Sequence, residues 1–157
     1  MDTLARQVID RLEQAAQLYH RLILLVGPSG SGKSYTLRQL HDKLAFPLVN
    51  VNLELTRRLL ELTEKQRAIR CGQILGEILE QAGGEVVLLD NLEIIFDPLL
   101  SQDPLRLLQQ LSRNRTVVAS WAGRVDGEYL VYAVPEHPEY RRYTASSLVV
   151  VAASPVE

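Results

Sequence analysis

Cysteine is nearly missing from this chain. Cys71 stands alone, so no disulfide can form within it, which suits a reducing compartment. As a lone thiol it reads as a small helix residue rather than a reactive group. Long apolar runs are missing too: none approaches the roughly 20 residues that a membrane span needs. Met1 to Leu12 is polar and amphipathic, unlike a secretory leader, and Asn114-Arg115-Thr116 matches a glycosylation sequon by chance. These absences lead us to expect a soluble, cytoplasmic protein without membrane contact. A basic excess is also lacking. The net charge is −2, which leaves no overall footprint for a nucleic-acid backbone. Arginine does far outnumber lysine, so direct nucleic-acid contact through a local cluster stays open. His20, His41 and His137 are far apart and lack ligand spacing, so no structural metal site is expected.

What is present is a globular composition, 46% hydrophobic and 23% charged over 157 residues, enough for one domain with a sizeable core. No linker or internal repeat divides it. We read residues 1–157 as a single domain, an N-terminal amphipathic helix within 1–20 followed by a core over 22–154. Leu4, Val8, Leu12, Ala15 and Tyr19 recur at helical spacing and predict a helix over 3–19. Short apolar runs at Leu22–Val26, Leu48–Val51, "EVVLLD", "TVVASW" and "SSLVVVAA" predict five strands. The near-continuous apolar character of "EVVLLD" suits a strand covered on both faces. "GEYLVYAVP" alternates and predicts a further strand or hairpin arm. Helices are expected over Ser34–Leu44, over Thr56–Gln81 (in one piece or two, closed by Gly83-Gly84), and over Asp103–Leu111. In the last, Asp103 is a cap and Pro104 takes the first position. Strands separated by helices imply parallel crossovers, hence a three-layer α/β fold on a mostly parallel sheet of about five strands.

One stretch names a ligand. Gly27-Pro28-Ser29-Gly30-Ser31-Gly32-Lys33-Ser34 satisfies GxxxxGK[ST] between a predicted strand and a predicted helix. Such a loop turns backbone N–H groups toward phosphate oxygens. Lys33 can reach the outer phosphates, the Ser34 hydroxyl can ligate Mg²⁺, and Tyr35 follows in the first helical turn. A second motif, "VVLLDNLEIIF", ends a buried strand in Asp90. That position faces the crevice above an open α/β sheet, where a P-loop protein holds Mg²⁺ partly through an Asp. The expected ligands are therefore ATP and Mg²⁺, with Ser34 and Asp90 on the metal. No NKxD-like motif follows the fourth strand, which favours ATP over GTP.

A strand near Leu48–Val51 lies between the P-loop and Asp90 in sequence, and in this the chain resembles the additional-strand P-loop proteins, including AAA-type, RecA-type and STAND ATPases. Those families usually place a Glu beside or shortly after the Asp to orient the attacking water. Here Asn91 follows, which cannot accept a proton at neutral pH. Glu93 is the nearest acid and becomes the candidate water-orienting residue, so slow hydrolysis is expected. Their sensor position after the fourth strand corresponds to Ser120, beside Trp121. Arg113, Arg115, Arg141 and Arg142 are candidates for an arginine finger given to a neighbour, or simply solvated charges. The P-loop, "LLDNLEIIF" and the tail "YAVPEHPEYRRYTASSLVVV" together resemble BrxF, the small P-loop family of type 3 BREX (bacteriophage exclusion) systems. That resemblance implies antiphage defence beside other proteins of the system, as a weak ATPase or nucleotide-dependent switch. No segment remains for the α-helical lid that AAA-type proteins append, which weighs against a ring, although a homo-oligomer stays open. The alternatives are a small-molecule or nucleotide kinase, for which no Arg-bearing lid is seen, and a scaffold that binds ATP without turning it over. An ABC-type ATPase is a weaker alternative still, since nothing resembles its LSGGQ signature.

Overall fold

The computed structural model describes residues 1–133 and 137–153. The elements run α1 (Thr3–Ala16), β1 (Leu22–Gly27), α2 (Lys33–Leu44), β2 (Leu48–Asn50), α3 (Val51–Leu59), α4 (Glu64–Ala82), β3 (Val86–Asp90), α5 (Pro104–Leu111), β4 (Thr116–Asp126), β5 (Tyr129–Tyr132), β6 (Arg141–Thr144) and β7 (Val149–Ala152). Two short 3₁₀ turns, Glu93–Phe96 and Pro98–Leu100, fill the space between β3 and α5.

Five strands form a parallel sheet in the order β2-β3-β4-β1-β7. All six residues of β1 are buried because the sheet is covered on both faces. Alternation sends Ile23 and Leu25 to the face covered by α1 and α2. Leu22, Leu24 and Val26 face α3, α4 and α5. The result is the expected three-layer arrangement.

The structure corrects the sequence reading in four places. The strand inserted between β1 and β3 is β4, while β2, read as the additional strand, lies at the sheet edge against β3 alone. Spatial order follows from packing, and sequence order did not contain it. β2 stops at Asn50, whose side chain accepts a hydrogen bond from the Leu53 N–H and so starts α3 at Val51, not at Thr56. Of the two forms left open for the helical stretch it takes the two-piece one, because Thr63 and Gln66 form a reciprocal capping box that starts α4 afresh. α1 ends at Ala16, short of Tyr19.

The fourth correction concerns β4, which runs on well past Trp121. Beyond Ala122 it leaves the parallel sheet and pairs antiparallel with β5, from Gly123↔Tyr132 to Asp126↔Tyr129. β5 pairs with β6. The predicted arm "GEYLVYAVP" is thus β5, with Val134 and Pro135 outside the described residues, and β6 is additional. Gly123 is required in this arm, since a Cβ there would run into the Val131 carbonyl. Phe96, Trp121, Tyr132 and Tyr143 fasten the arm to the core. Phe96 stacks on Tyr132 with centroids 3.6 Å apart, and Trp121 meets Phe96 and Tyr143 edge-on at 5.0 and 5.9 Å. No helix follows α5 among the described residues.

Candidate functional site

The loop joining β1 to α2 is shaped by its glycines. Gly30 and Gly32 have φ of 81° and 94°, the left-handed region that other residues enter at a cost. Gly27 is constrained by space, because a Cβ would lie 2.5 Å from Ser31 Oγ. Helix α2 then begins at Lys33 with Gly32 as its N-cap and no side-chain cap. Among the described residues no side chain caps its first-turn N–H groups, and the positive end of the helix dipole faces the loop.

One cavity of about 380 Å³ collects the predicted residues: Ser29, Gly30, Gly32, Lys33, Ser34 and Tyr35 from the loop and α2, Asp90, Asn91 and Glu93 from the end of β3, and Ser120 from β4. Register explains the convergence. β1, β3 and β4 run parallel, so their carboxyl ends meet at one edge of the sheet. Gly27 and Pro28 do not line this cavity but border a neighbouring groove. Ser31 is buried behind the loop, with its hydroxyl 3.4 Å from Lys33 Nζ.

Lys33 Nζ donates to the carbonyls of Gly27 (2.6 Å) and Pro28 (2.8 Å). Burial lowers its pKa from 10.5, and the nearby charges of Asp90 and Glu93 oppose that shift. Asp90 is held in place. Its Oδ1 accepts from Ser120 Oγ at 2.7 Å and from the Asn91 N–H at 2.9 Å. Oδ2 has no hydrogen bond to a described residue, which leaves an oxygen of the kind Mg²⁺ takes. The uncapped helix start, the left-handed glycines and this oxygen fit a nucleotide triphosphate with its metal. In that arrangement the loop and Lys33 would hold phosphates, and Ser34 and Asp90 the Mg²⁺.

Asn91 sits at φ 57°. Asn enters the left-handed region more readily than most residues, so the backbone suits Asn better than Glu here. Glu93 reaches the cavity from the following 3₁₀ turn, whose Phe96 is clamped in the aromatic block. The clamp thus fixes the far end of the turn that Glu93 begins.

Sequence reading missed Arg38, which lines the cavity from α2. Its signal was the spacing: Ser34 and Arg38 are four apart on a helix and share a face. The other arginines lie elsewhere. Arg115 binds the Leu79 carbonyl and Glu80, and Arg113 lies over Tyr19. Both precede β4 and so stand at the opposite end of the sheet from the cavity. Arg142 covers Tyr129, and Arg141 Nη1 donates to the Tyr140 carbonyl.

With this geometry in view, the sequence can be set against known proteins. The profile of the AAA family (ATPase family associated with various cellular activities) matches residues 23–118, more than half of the chain. The chain belongs to the AAA family. It carries a nucleotide-binding P-loop ATPase domain of that family, whose members use ATP and usually Mg²⁺. No curated protein matches it. Among solved structures, that of C. elegans PCH-2 aligns with 79% of this chain at 20% identity and a TM-score of 0.37. The chain spans 36% of that protein. The family match ends at Val118, before Ser120, the β5–β6 arm and β7. Among the described residues, no helix is long and apolar enough to cross a membrane.

Proposed function

We propose that this domain binds ATP·Mg²⁺ in the cavity between the P-loop and the end of β3 and hydrolyses it slowly. It would act as a switch whose turnover rises when a partner or a second copy adds positive charge. The observation that carries this reading is the convergence of Lys33, Ser34, Asp90, Glu93 and Ser120 on one cavity at an uncapped helix start. Lys33 and Ser34 bind phosphate and metal, Asp90 holds the metal, Ser120 fixes Asp90, and Glu93 orients the water. Phosphoryl transfer is mainly positioning and charge stabilisation, and an arginine finger alone is worth about 10³–10⁵ in rate. Arg38 stands exposed at the rim of the cavity, and the remaining arginines considered above do not line it. The finer assignment, to a type 3 BREX antiphage complex with other defence proteins as partners, rests on the motifs and tail quoted above.

Turnover of [γ-³²P]ATP, measured with and without candidate phosphate acceptors, tests the reading. We expect phosphate release far below the roughly 1–10³ s⁻¹ typical of enzymes. It should rise with protein concentration or added partner, and be lost in Glu93→Gln while ATP binding persists. Transfer to an acceptor would make the protein a kinase. Binding without any release would make it a scaffold, consistent with Asn91 in place of a base. Fast release that is independent of concentration and of Glu93 would refute the proposal.

A further inference from the structure

At the end of the sheet opposite the nucleotide cavity, the loops entering β1 and β4 lie side by side, because the two strands are parallel neighbours. The Arg21 N–H donates to the Ser112 carbonyl at 2.8 Å, and its guanidinium donates to the Arg113 carbonyl at 2.9 Å. Those two bonds bring Tyr19 beside Arg113, whose guanidinium carbon lies 4.6 Å from the ring centroid. His20 meets the same ring edge-on, with centroids 4.9 Å apart. Tyr19 is nevertheless 68% exposed. Burial does not account for this ring, yet two neighbours fix its orientation.

Tyr19 and His20 also border two hollows of opposite character. One, of about 430 Å³, carries Arg106 and Arg113. Neither forms a salt bridge among the described residues. Asp103 lines the same hollow but is engaged: as the cap of α5, its Oδ1 accepts from Tyr143 Oη at 2.9 Å and from the Arg106 N–H at 3.3 Å. The other hollow, of about 240 Å³, has apolar walls from Leu18, Leu22, Leu148 and Val149. A cationic hollow and an apolar one, joined at an open aromatic ring, match the two parts of a nucleotide unit, an anionic phosphate and a flat base. In a duplex the base faces are covered by stacking, so the base must come from an unpaired strand. A phosphorylated protein side chain would engage the arginines but leave the ring and the apolar hollow unused.

We propose that Tyr19 and the two hollows that share it form a binding site for single-stranded nucleic acid. A base stacks on Tyr19 and seats in the apolar hollow, with its neighbouring phosphates on Arg106 and Arg113. The site lies at the far end of the sheet from the P-loop, so strand and ATP bind together and neither reading depends on the other. The net charge of −2 gives no long-range attraction, so affinity comes from these few contacts and is modest.

Fluorescence anisotropy of a labelled oligothymidylate of about 12 nucleotides tests this. The wild type should bind it with a Kd on the order of 10⁻⁴–10⁻⁶ M, with or without saturating Mg²⁺-ATP. Two phosphate contacts give a slope of about −1.4 in log affinity against log salt, and Arg106→Gln should flatten it by about 0.7. Tyr19→Ala should weaken binding about fivefold or more, the size of one lost base stack, at an unchanged salt slope, and Tyr19→Phe should keep it. Both positions are exposed, so all three variants should melt at the wild-type temperature. No binding by the wild type, unchanged affinity in Tyr19→Ala, or displacement of the strand by ATP would overturn the site. Equal affinity for a duplex of the same length or for inorganic polyphosphate would overturn base recognition. Equal affinity for thymidine monophosphate would overturn the strand in favour of a free nucleotide.

Discussion

β1 and β6 mark two ways of holding a strand in one molecule. Every residue of β1 is buried between two helical layers, whereas β6 alternates half-buried and exposed residues and pairs with β5 alone. The parallel sheet is therefore stabilised by two-sided apolar burial, worth roughly 1.5–3 kcal/mol for each fully buried large side chain. The β4–β5–β6 arm depends on one aromatic block and a few polar ties. Tyr143 Oη donates to Asp103, the same carboxylate that caps α5, at 2.9 Å. Burial and that hydrogen bond push its phenol pKa well up. The Trp121 indole N–H donates to the Val131 carbonyl at 3.2 Å. The two regions also divide the candidate site. The sheet positions Lys33, Ser34 and Asp90, while the arm clamps the Glu93 turn through Phe96 and walls the groove beside the loop.

The sharpest way to break this division is Phe96→Ala. The ring is 1% exposed and joins the 3₁₀ turn to Tyr132 and Trp121, so its loss should cost about 3–5 kcal/mol of unfolding free energy. If the arm governs Glu93 and the sheet governs the phosphates, the folded variant should keep ATP affinity within a few-fold and lose turnover. Chemical denaturation, titration calorimetry and a phosphate-release assay on one preparation read all three quantities. Parallel losses of affinity and turnover would show that the regions are not separable.

Lys33→Ala tests the other half. Hydrogen bonds to charged groups are worth about 1.5–3 kcal/mol, so ATP affinity should fall by roughly tenfold to a hundredfold. In the structure Lys33 contacts the loop it springs from, so the fold should survive. The wild type should show an upward thermal shift with ATP and Mg²⁺, and the variant much less. Equal shifts would remove the P-loop from the site.

The same contrast governs what the sequence disclosed. Buried strands announce themselves by composition, so β1, β3 and the start of β4 were legible, as were the glycines of the loop and the Asp103-Pro104 helix start. The convergence of Asp90, Glu93 and Ser120 on the loop followed once the strands were taken as parallel. The arm was harder. Arg-Arg-Tyr-Thr has no apolar face to betray β6. Gly123 looks like a strand end, although it is the residue that lets β4 continue past the Val131 carbonyl. The insertion of β4 between β1 and β3 is a fact of packing with no local signature. Cys71, read as a small helix residue, is fully buried in α4 with its thiol pKa pushed up to about 11 by burial. It is an unreactive core group.

The smallest expected effect is on pH, and it sharpens the comparison because only the sheet-borne half of the site should show it. Burial lowers the Lys33 pKa from 10.5, with Asp90 and Glu93 opposing. Between that lowered value and the value in the unfolded chain, the unfolded state binds the extra proton. In that window the Lys33 contribution to stability rises with pH. ATP affinity must run the other way. Phosphates favour the charged ammonium and raise its pKa, so binding draws in a proton once the free protein has lost it. Affinity should therefore be flat below the lowered pKa and fall above it, by at most about tenfold per pH unit. The quantity to measure is the difference between wild type and Lys33→Met. In that difference, stability and affinity should change in opposite directions over the same alkaline range. Phe96→Ala, which leaves Lys33 in place, should reproduce the wild-type affinity profile. If Lys33→Met keeps the alkaline fall in affinity, the titrating group is not the lysine of the loop.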